Sequence, residues 1–182
     1  MPHNRGENDG FERLVHVDFG GGLHHRAGRA AIAELKGVKR QIWDETMATG
    51  AVLAGRHTFE PAGGWNGDHH DGVEIFIVSR HEAPDWVRKW KNVHYVADLG
   101  VAMREAKAAA GTRNVMMHGG STLVPMAIQA GLLDELMLHQ VPFLLGEGTR
   151  LFDTLGFGLR NLERLRVLEG EGVTHLHYRV RK

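Results

Sequence analysis

The amino-acid sequence predicts an α/β protein whose sheet is mostly parallel, flanked by helices, and completed by an antiparallel hairpin. Between residues 51 and 141, short apolar runs alternate with segments whose apolar residues recur every three or four positions, as in strands joined by helices. Two further runs flank Gly170-Glu171-Gly172, a turn that commonly connects paired strands. The 182 residues, 42% hydrophobic and 24% charged, fit one domain with a core of its own.

The composition of the chain changes near residue 28. Residues 1–28 are rich in glycine, histidine and charge and are predicted to be irregular, whereas residues 29–182 are predicted to form the single domain. A first helix is predicted from Arg29 to Ala48, where apolar residues recur at spacings of three and four, and Gly50 is placed to end it. Ordered structure is therefore expected to begin near Arg29.

The remaining elements follow from alternation and from helix caps. Asp98 can accept a hydrogen bond at the start of a helix that Gly111 stops, and Pro125 lies in the first turn of the next helix, where proline is tolerated. In the last strand, apolar residues alternate with histidines and an arginine, which is typical of a half-buried strand. Strands are predicted at residues 51–54, 73–78, 93–96, 114–117, 135–141, 159–169 and 173–180, and the second of these two helices at residues 123–130.

Charge and cysteine content exclude several classes of function. Lysine plus arginine and aspartate plus glutamate both number 22, so the chain has no overall basic field for nucleic acid or an anionic membrane. Cysteine is absent, which excludes disulfides and thiol chemistry and fits a reducing compartment. No apolar run has the length of a membrane span, and residues 1–9 lack the apolar core of a secretory signal. We expect a cytoplasmic protein that binds any anion locally.

The most informative segment is His118-Gly119-Gly120-Ser121-Thr122-Leu123, which joins a predicted strand to a predicted helix. Two glycines let the backbone approach a ligand closely, and the N–H groups at a helix start favour a phosphate. A second segment, Gly55-Arg56-His57-Thr58, follows another strand and offers a glycine, a guanidinium and a hydroxyl. By itself the Gly-Gly turn is explained more simply as a tight connection between a strand and a helix. Together with the second segment, it favours nucleotide binding.

Further motifs follow in a recognisable order. They are Ile77-Val78-Ser79-Arg80, Ala130-Gly131-Leu132-Leu133-Asp134-Glu135-Leu136, Val141-Pro142-Phe143-Leu144-Leu145-Gly146-Glu147-Gly148 and Leu151-Phe152. Together with the two glycine segments, they resemble the dihydrofolate-reductase-like superfamily, and most closely the reductase domain of the bifunctional riboflavin-biosynthesis deaminase-reductase and its stand-alone relatives. The resemblance covers about residues 50–179 and implies a dihydrofolate-reductase-like sheet and NADPH-dependent hydride transfer.

The resemblance also implies which residues bind the cofactor. Arg56 and Arg80 would hold the extra ribose phosphate of NADPH, and Thr58 and Ser79 would donate hydroxyl hydrogen bonds. Planar guanidinium groups suit a dianionic phosphate, which favours NADPH over NADH, although a lone arginine is usually an ordinary surface charge. The implied cofactor-binding residues are Gly55, Arg56, Thr58, Ser79, Arg80, His118, Gly119, Gly120, Ser121, Thr122 and Leu123.

One departure from the family concerns the start of the fold. Relatives open with an apolar strand that ends in a Ser-Leu-Asp-Gly type of segment and lines the nicotinamide and substrate site. No such segment is found here, so the usual N-terminal strand is expected to be missing. The alternative is that Leu14-Val15-His16-Val17-Asp18 forms it, which would make Asp18 a candidate near the substrate. No other catalytic residue is named.

Thirteen histidines raise the question of a metal site. Adjacent pairs such as His24-His25 and His69-His70 seldom converge on one ion, so no metal site is predicted. His118 either approaches the nicotinamide side of the pocket or is a satisfied residue at a strand end, and both interpretations stay open. Trp65 is expected to anchor its loop rather than to cover the cofactor.

The sequence is interpreted as an NADPH-dependent reductase that acts on a small heterocyclic or carbonyl substrate. Dihydrofolate is disfavoured, because the acidic element with which true dihydrofolate reductases hold the pterin is not evident. The alternative is a dinucleotide-binding protein that does not catalyse, and a histidine-metal hydrolase is the most remote interpretation. Because relatives often pair as two-fold dimers, the resemblance also implies a homodimer.

Overall fold

The computed structural model describes residues 16–17, 34–144, 146–152 and 160–182. In this part of the chain the strands are β1 His16–Val17, β2 Ala51–Gly55, β3 Glu74–Val78, β4 Val93–Val96, β5 Val115–His118, β6 Glu135–Gln140, β7 Leu162–Gly170 and β8 Val173–Val180. The α-helices are α1 Gly37–Met47, α2 Arg56–Phe59, α3 Leu99–Ala110 and α4 Leu123–Gln129, with a 3-10 turn at Gly63–Gly67. None of these helices has the length and apolarity needed to cross a bilayer.

The strands form two four-stranded sheets that adjoin where β1 lies against β5. The first sheet, in the order β4-β3-β2-β5, is parallel throughout. The second, in the order β1-β6-β8-β7, is parallel between β1 and β6 and antiparallel elsewhere. The prediction of a mostly parallel sheet with an antiparallel hairpin at its end is confirmed.

The parallel sheet is buried on both faces, which explains why its strands are apolar at nearly every position. Ala51 and Leu53 of β2 pack on one face, against side chains of α3 and α4. Val52 and Ala54 pack on the other face, where Phe59 and Trp65 cover them. Two cores therefore fix β2 in place and hold the loop that follows it.

The helix boundaries follow from local chemistry. The Asp98 carboxylate accepts a hydrogen bond from the Val101 N–H at 2.8 Å, and Gly111 ends α3 with a φ of +62°. Beyond α4, Gly131 adopts a φ of +66°, a left-handed conformation that favours glycine. The predicted cap at Asp98 and the predicted stop at Gly111 are confirmed, whereas α1 ends at Met47 with Ala48 as its C-cap, before the predicted stop at Gly50.

The expectation that the usual first strand is missing is wrong, because His16 and Val17 form a short strand, β1. These two residues pair in parallel with Met137 and Leu138 of β6 and lie beside β5. They belong to the alternative candidate, residues 14–18, whose other members lie outside the described residues, as does Asp18. The expectation rested on the absence of a Ser-Leu-Asp-Gly type of segment, but the pairing of these two residues with β6 does not depend on that segment.

Helix α1 begins later than predicted. Lys36 is extended, with φ −135° and ψ 162°, and Gly37 has a φ of +56°, so Glu34, Leu35 and Lys36 are not helical. The predicted start at Arg29 lies outside the described residues. The glycine at position 37 sets the boundary, because its left-handed backbone cannot continue a right-handed helix.

The hairpin is confirmed, but β8 is not half-buried in the simple way that its alternation suggests. His175 and His177 are only 7% and 8% exposed. Helix α1 lies over this face, and its Glu45 binds Arg166, which in turn donates to His177 Nδ1 at 3.1 Å. The His177 ring is satisfied in this buried position, because Nδ1 accepts from Arg166 and Nε2 lies 2.8 Å from Glu135 Oε2.

Candidate functional site

The three predicted segments lie at one edge of the parallel sheet. Gly55 is paired with Val78, and Ala54 is paired with His118, so β2, β3 and β5 end at the same level. Because these strands are parallel, the loops that leave their carboxyl ends must emerge together. We call this edge, formed by residues 55–58, 79–80 and 118–122, the rim.

Two of the three segments approach each other closely at Gly119 and Thr58. A Cβ atom placed on Gly119 would lie 2.8 Å from Thr58 Oγ1, closer than Cβ atoms are found to neighbouring atoms. The φ of Gly119 is +135°, a conformation that L side chains rarely adopt. Only glycine therefore lets the Gly-Gly turn pass this close to the Gly-Arg-x-Thr turn.

Arg56 stands at the rim with acidic and imidazole neighbours. Its Nη1 lies 3.2 Å from Glu60 Oε2, one helical turn further along the chain, and its Nη2 lies 2.5 Å from His57 Nε2. The Arg56 side chain is about one-third exposed, at 32%. The guanidinium is thus both oriented by its neighbours and accessible to a ligand.

Tyr95 fixes Glu60 from the other side. The Tyr95 hydroxyl donates to Glu60 Oε1 at 3.1 Å, so both oxygens of this carboxylate are engaged. Burial and the bond to the Glu60 carboxylate raise the pKa of Tyr95 far above its usual value. The tyrosine therefore stays a hydrogen-bond donor at any ordinary pH.

An open cleft of about 450 Å³ lies beside the rim. Its lining includes Ser79, Arg80, His81, Arg88, Tyr95 and Ala97. The Arg80 residue is exposed, and the cleft therefore combines a solvent-accessible guanidinium with the tyrosine that fixes Glu60. Such a combination suits an anionic ligand with a planar ring.

The hydroxyl of Ser79 is already used within its own turn. It accepts from the His81 N–H at 2.9 Å and donates to the His81 carbonyl at 3.1 Å. The serine thereby shapes the turn that presents Arg80, and a bond from Ser79 to a ligand would require its hydroxyl to leave that turn. The sequence pattern could identify the residue but not this competing partner.

Residues 120–123 lead into α4 and contribute in different ways. Leu123 is 5% exposed and packs in the core, so only its backbone can face a ligand. Thr122 is exposed, and its hydroxyl makes no capping hydrogen bond to α4. Gly120 and Ser121 are partly exposed at the rim, between these two residues and Gly119.

His118 has its ring against aromatic neighbours at the end of β5. The ring centroids of His118 and Trp65 are 5.4 Å apart, and those of His118 and His69 are 5.5 Å apart, both edge to face. Trp65 is 4% exposed and packs on Phe59, which confirms that it anchors its loop. The contacts of His118 fit a packed residue at a strand end, while its backbone continues into the Gly-Gly turn.

The pair His69-His70 is buried rather than exposed in its loop. The two Nδ1 atoms are 2.8 Å apart, and His70 Nε2 lies 3.2 Å from both oxygens of Thr49. Burial lowers the pKa of His70, which favours the neutral form of this imidazole. Within the described residues, no three side chains of the metal-binding types are grouped to hold an ion.

Glu60 and Tyr95 are the residues of the site that the sequence did not reveal. Glu60 follows Arg56 by four positions, a spacing that predicts a pair on a helix, but α2 is too short to show helical periodicity. Tyr95 lies on β4, opposite Ile77 of β3, and only the strand order brings it to the rim.

Comparison with solved structures places the fold among proteins of riboflavin biosynthesis. A Shewanella sp. PV-4 protein named for that pathway has a TM-score of 0.65 at 17% identity, over 92% of this chain and 98% of that one. Acinetobacter baumannii RibD has a TM-score of 0.61 at 15% identity, over 94% of this chain and 59% of that one. The riboflavin biosynthesis reductase Rib7 of Saccharomyces cerevisiae has a TM-score of 0.59 at 13% identity, over 100% of this chain and 93% of that one. The TM-scores establish a shared fold, which is the predicted dihydrofolate-reductase-like one.

A comparison with curated proteins found no match. A comparison with family models matched residues 65–175 to the RibD C-terminal domain. The matched range contains β3, β5 and the Gly-Gly turn, and extends into the hairpin. The chain belongs to the RibD C-terminal domain family.

Proposed function

We propose that this protein is an NADPH-dependent reductase that transfers hydride to a small heterocyclic or carbonyl substrate. The observation that carries the proposal is the contact between Gly119 and Thr58, which brings the Gly-Gly turn against the Gly-Arg-x-Thr turn beside Arg56. A backbone without a side chain at position 119 is what a pyrophosphate needs in order to approach the sheet edge closely.

The charges at the rim support NADPH rather than NADH. Arg56 and Arg80 follow the neighbouring strands β2 and β3, and a dianionic ribose phosphate between those strand ends would meet two guanidinium groups. NADH has no phosphate at that position. The difference in affinity between NADPH and NADH therefore measures how much these arginines contribute to binding of the ribose phosphate.

The family supports reduction as the chemistry. The fold neighbours include the yeast riboflavin biosynthesis reductase Rib7 and a pyrimidine reductase-like protein of Corynebacterium diphtheriae. The bound cofactor supplies the hydride, and the protein's share is to hold the cofactor and the substrate in register and to exclude water. A dinucleotide-binding protein that does not catalyse is the second candidate. That candidate rested on a missing first strand, whereas His16 and Val17 form a strand that pairs with β6.

Titration of the purified protein with NADPH and NADH, followed by nicotinamide fluorescence, tests the cofactor assignment. We expect Arg56→Ala to weaken NADPH about tenfold, as for a lost hydrogen bond to a charged group, and to change NADH by less than about twofold. Arg40→Ala is the matched control, because Arg40 forms the same type of pair with Asp44 on α1. An equal loss of affinity for NADPH and NADH in Arg56→Ala would show that Arg56 does not bind the extra ribose phosphate.

A turnover assay separates the enzyme from the binding protein. Oxidation of NADPH is followed with a panel of pterins, quinones and aldehydes. We expect oxidation with at least one class of acceptor. Absence of NADPH binding at high micromolar concentration would defeat both candidates, whereas tight binding without oxidation of NADPH by any acceptor would support the second.

A further inference from the structure

The turn at Gly63–Gly67 has a backbone conformation that L residues seldom adopt. Its five residues have φ values of +65°, +61°, +49°, +53° and +78° in chain order, all of them left-handed. Glycine adopts such values freely, but in Trp65 and Asn66 they bring Cβ close to the following carbonyl oxygen. Strain of this kind persists only where the surrounding structure requires it, and it is concentrated at functional sites. We call these five residues the left-handed turn.

Two tryptophans pack against the backbone of the left-handed turn. A Cβ atom on Gly64 would lie 2.6 Å from Trp90 and 2.8 Å from Trp86, and one on Gly67 would overlap Trp90. Only glycine fits at both positions, so the outer side of the turn is held by direct contact. The Trp65 side chain lies on the other side, in the core, where it is 4% exposed.

The Trp65 indole lies between the bases of two rim segments. Its ring centroid is 5.2 Å from that of Phe59 and 5.4 Å from that of His118, both edge to face. Phe59 follows Thr58 in the chain, and His118 precedes Gly119. One rigid side chain therefore contacts the chain neighbour of each of the two residues at which these segments approach each other.

We propose that Trp65 is a positioning residue of the dinucleotide site. The inference rests on the proposed function. The indole sets the separation between α2 and the Gly-Gly turn, and the left-handed turn keeps the indole in that place. Because Trp65 is buried, it acts through the backbone N–H groups of residues 119–122, which must stay within hydrogen-bond reach of a pyrophosphate.

The place of Trp65 determines which cofactors it affects. NADPH and NADH have the same pyrophosphate, whereas only NADPH has the ribose phosphate assigned to Arg56. Helix α2 is also held from its other side, because the Tyr95 hydroxyl donates to Glu60, so loss of the indole moves mainly the Gly-Gly turn. Substitution of Trp65 therefore weakens both cofactors by the same factor and keeps the preference for NADPH, whereas loss of Arg56 reduces that preference.

The experiment measures the dissociation constants of NADPH and NADH for the whole protein by nicotinamide fluorescence. We expect Trp65→Leu to weaken both cofactors about tenfold, as for the loss of one hydrogen bond to a charged group. Ile75→Ala is the matched control, because Ile75 is fully buried in the same core but lies level with Val52, away from the rim. The control is expected to unfold at lower urea concentration and to bind both cofactors as the wild type does.

A second pair of variants changes the left-handed turn without removing a buried side chain. Asn66 is exposed, so a substitution there acts mainly through the backbone. Asn66→Gly keeps the left-handed conformation with less strain and is expected to bind both cofactors as the wild type does. Asn66→Val disfavours that conformation, because β-branched residues rarely have a positive φ, and is expected to weaken both cofactors as Trp65→Leu does. This pair decides the question if Trp65→Leu does not fold.

The outcomes separate this inference from the proposed function. A wild type that binds neither cofactor overturns both. Binding by the wild type, together with wild-type affinities in Trp65→Leu or a loss of affinity for NADPH alone, overturns the inference and leaves the proposed function standing. The same losses in Ile75→Ala as in Trp65→Leu would overturn it too, because binding would then follow the stability of the core. Wild-type affinities in both Asn66 variants would show that the left-handed turn does not position the indole.

Discussion

At the scale of single residues, the site depends on the missing side chain of Gly119. The segment that carries Thr58 cannot move easily away from Gly119. Thr58 belongs to α2, and the neighbouring Phe59 of this helix is fully buried in the core formed with Val52 and Ala54. Backbone strain and steric overlap therefore act at the same position.

We predict that Gly119→Ala destabilises the protein by about 1–3 kcal/mol, the usual cost of a residue held in a sparsely populated backbone conformation. The added Cβ would lie 2.8 Å from Thr58 Oγ1 in a backbone of φ +135°. Urea denaturation measures the change, and NADPH titration of the folded variant is expected to show weakened binding because the Gly-Gly turn has moved.

Gly55→Ala is the control for that prediction. Gly55 has a φ of −87°, and a Cβ atom there would find no atom within 4 Å. The variant should unfold at nearly the wild-type urea concentration. Equal stability of Gly119→Ala and Gly55→Ala would show that position 119 does not need glycine.

The sequence motifs name candidate residues of the rim, but they do not show the hydrogen-bond partners of those residues. Arg56, Thr58 and Gly119 were identified from short motifs, since glycine turns and guanidinium groups carry their chemistry in their identity. The engagement of Ser79 with His81, and of Arg56 with Glu60, depends on side-chain directions that the three-dimensional structure fixes. A motif names the groups but not the hydrogen bonds they already make.

At the scale of elements, the sequence predicted features that depend on neighbouring residues, such as helix ends, better than features that depend on residues far away in the chain. The cap at Asp98 and the stop at Gly111 need only neighbouring residues, and both are confirmed. The burial of His175 and His177 needs α1, more than a hundred residues earlier, to cover that face of β8. Alternation along one strand cannot show what packs on its polar side.

We expect the buried residues His175 and His70 to make the protein sensitive to acid. Burial lowers the pKa of His175, and the nearby Arg166 lowers it further, while His139 contacts its Nδ1. Burial also lowers the pKa of His70. Since an unfolded histidine has a pKa of about 6.5, the unfolded chain binds these protons first as the pH falls. The stability due to neutral histidines is complete above that pH and declines below it.

We therefore predict that the urea midpoint is lower at about pH 5.5 than at about pH 7.5. His175→Gln cannot be protonated and should show a smaller decline between the two values. His81→Gln, at an exposed position, should decline as the wild type does. A wild type that is equally stable, or more stable, at the lower pH would contradict the assignment of neutral buried histidines.

At the scale of the whole molecule, strand order explains why distant motifs form one site. Strand β2 lies between β3 and β5, although β3, β4 and α3 separate β2 from β5 in the sequence, and the parallel direction of the strands brings three loops to one edge. The order of motifs implied this arrangement through the family resemblance, and the matched fold confirms the architecture. The first strand was expected to be missing because the chain lacks the Ser-Leu-Asp-Gly type of segment of the family, whereas His16 and Val17 pair with β6 without it.

The measurement that tests the central claim most directly is the change in backbone amide chemical shifts, by NMR, when oxidised NADP is added to the protein. We predict that the largest changes fall on residues 55–58, 79–80 and 118–122, because all three loops contact one dinucleotide, and that the hairpin β7–β8 changes little. Changes concentrated in the hairpin, or in only one of the three loops, would contradict the claim that the rim is a single dinucleotide site.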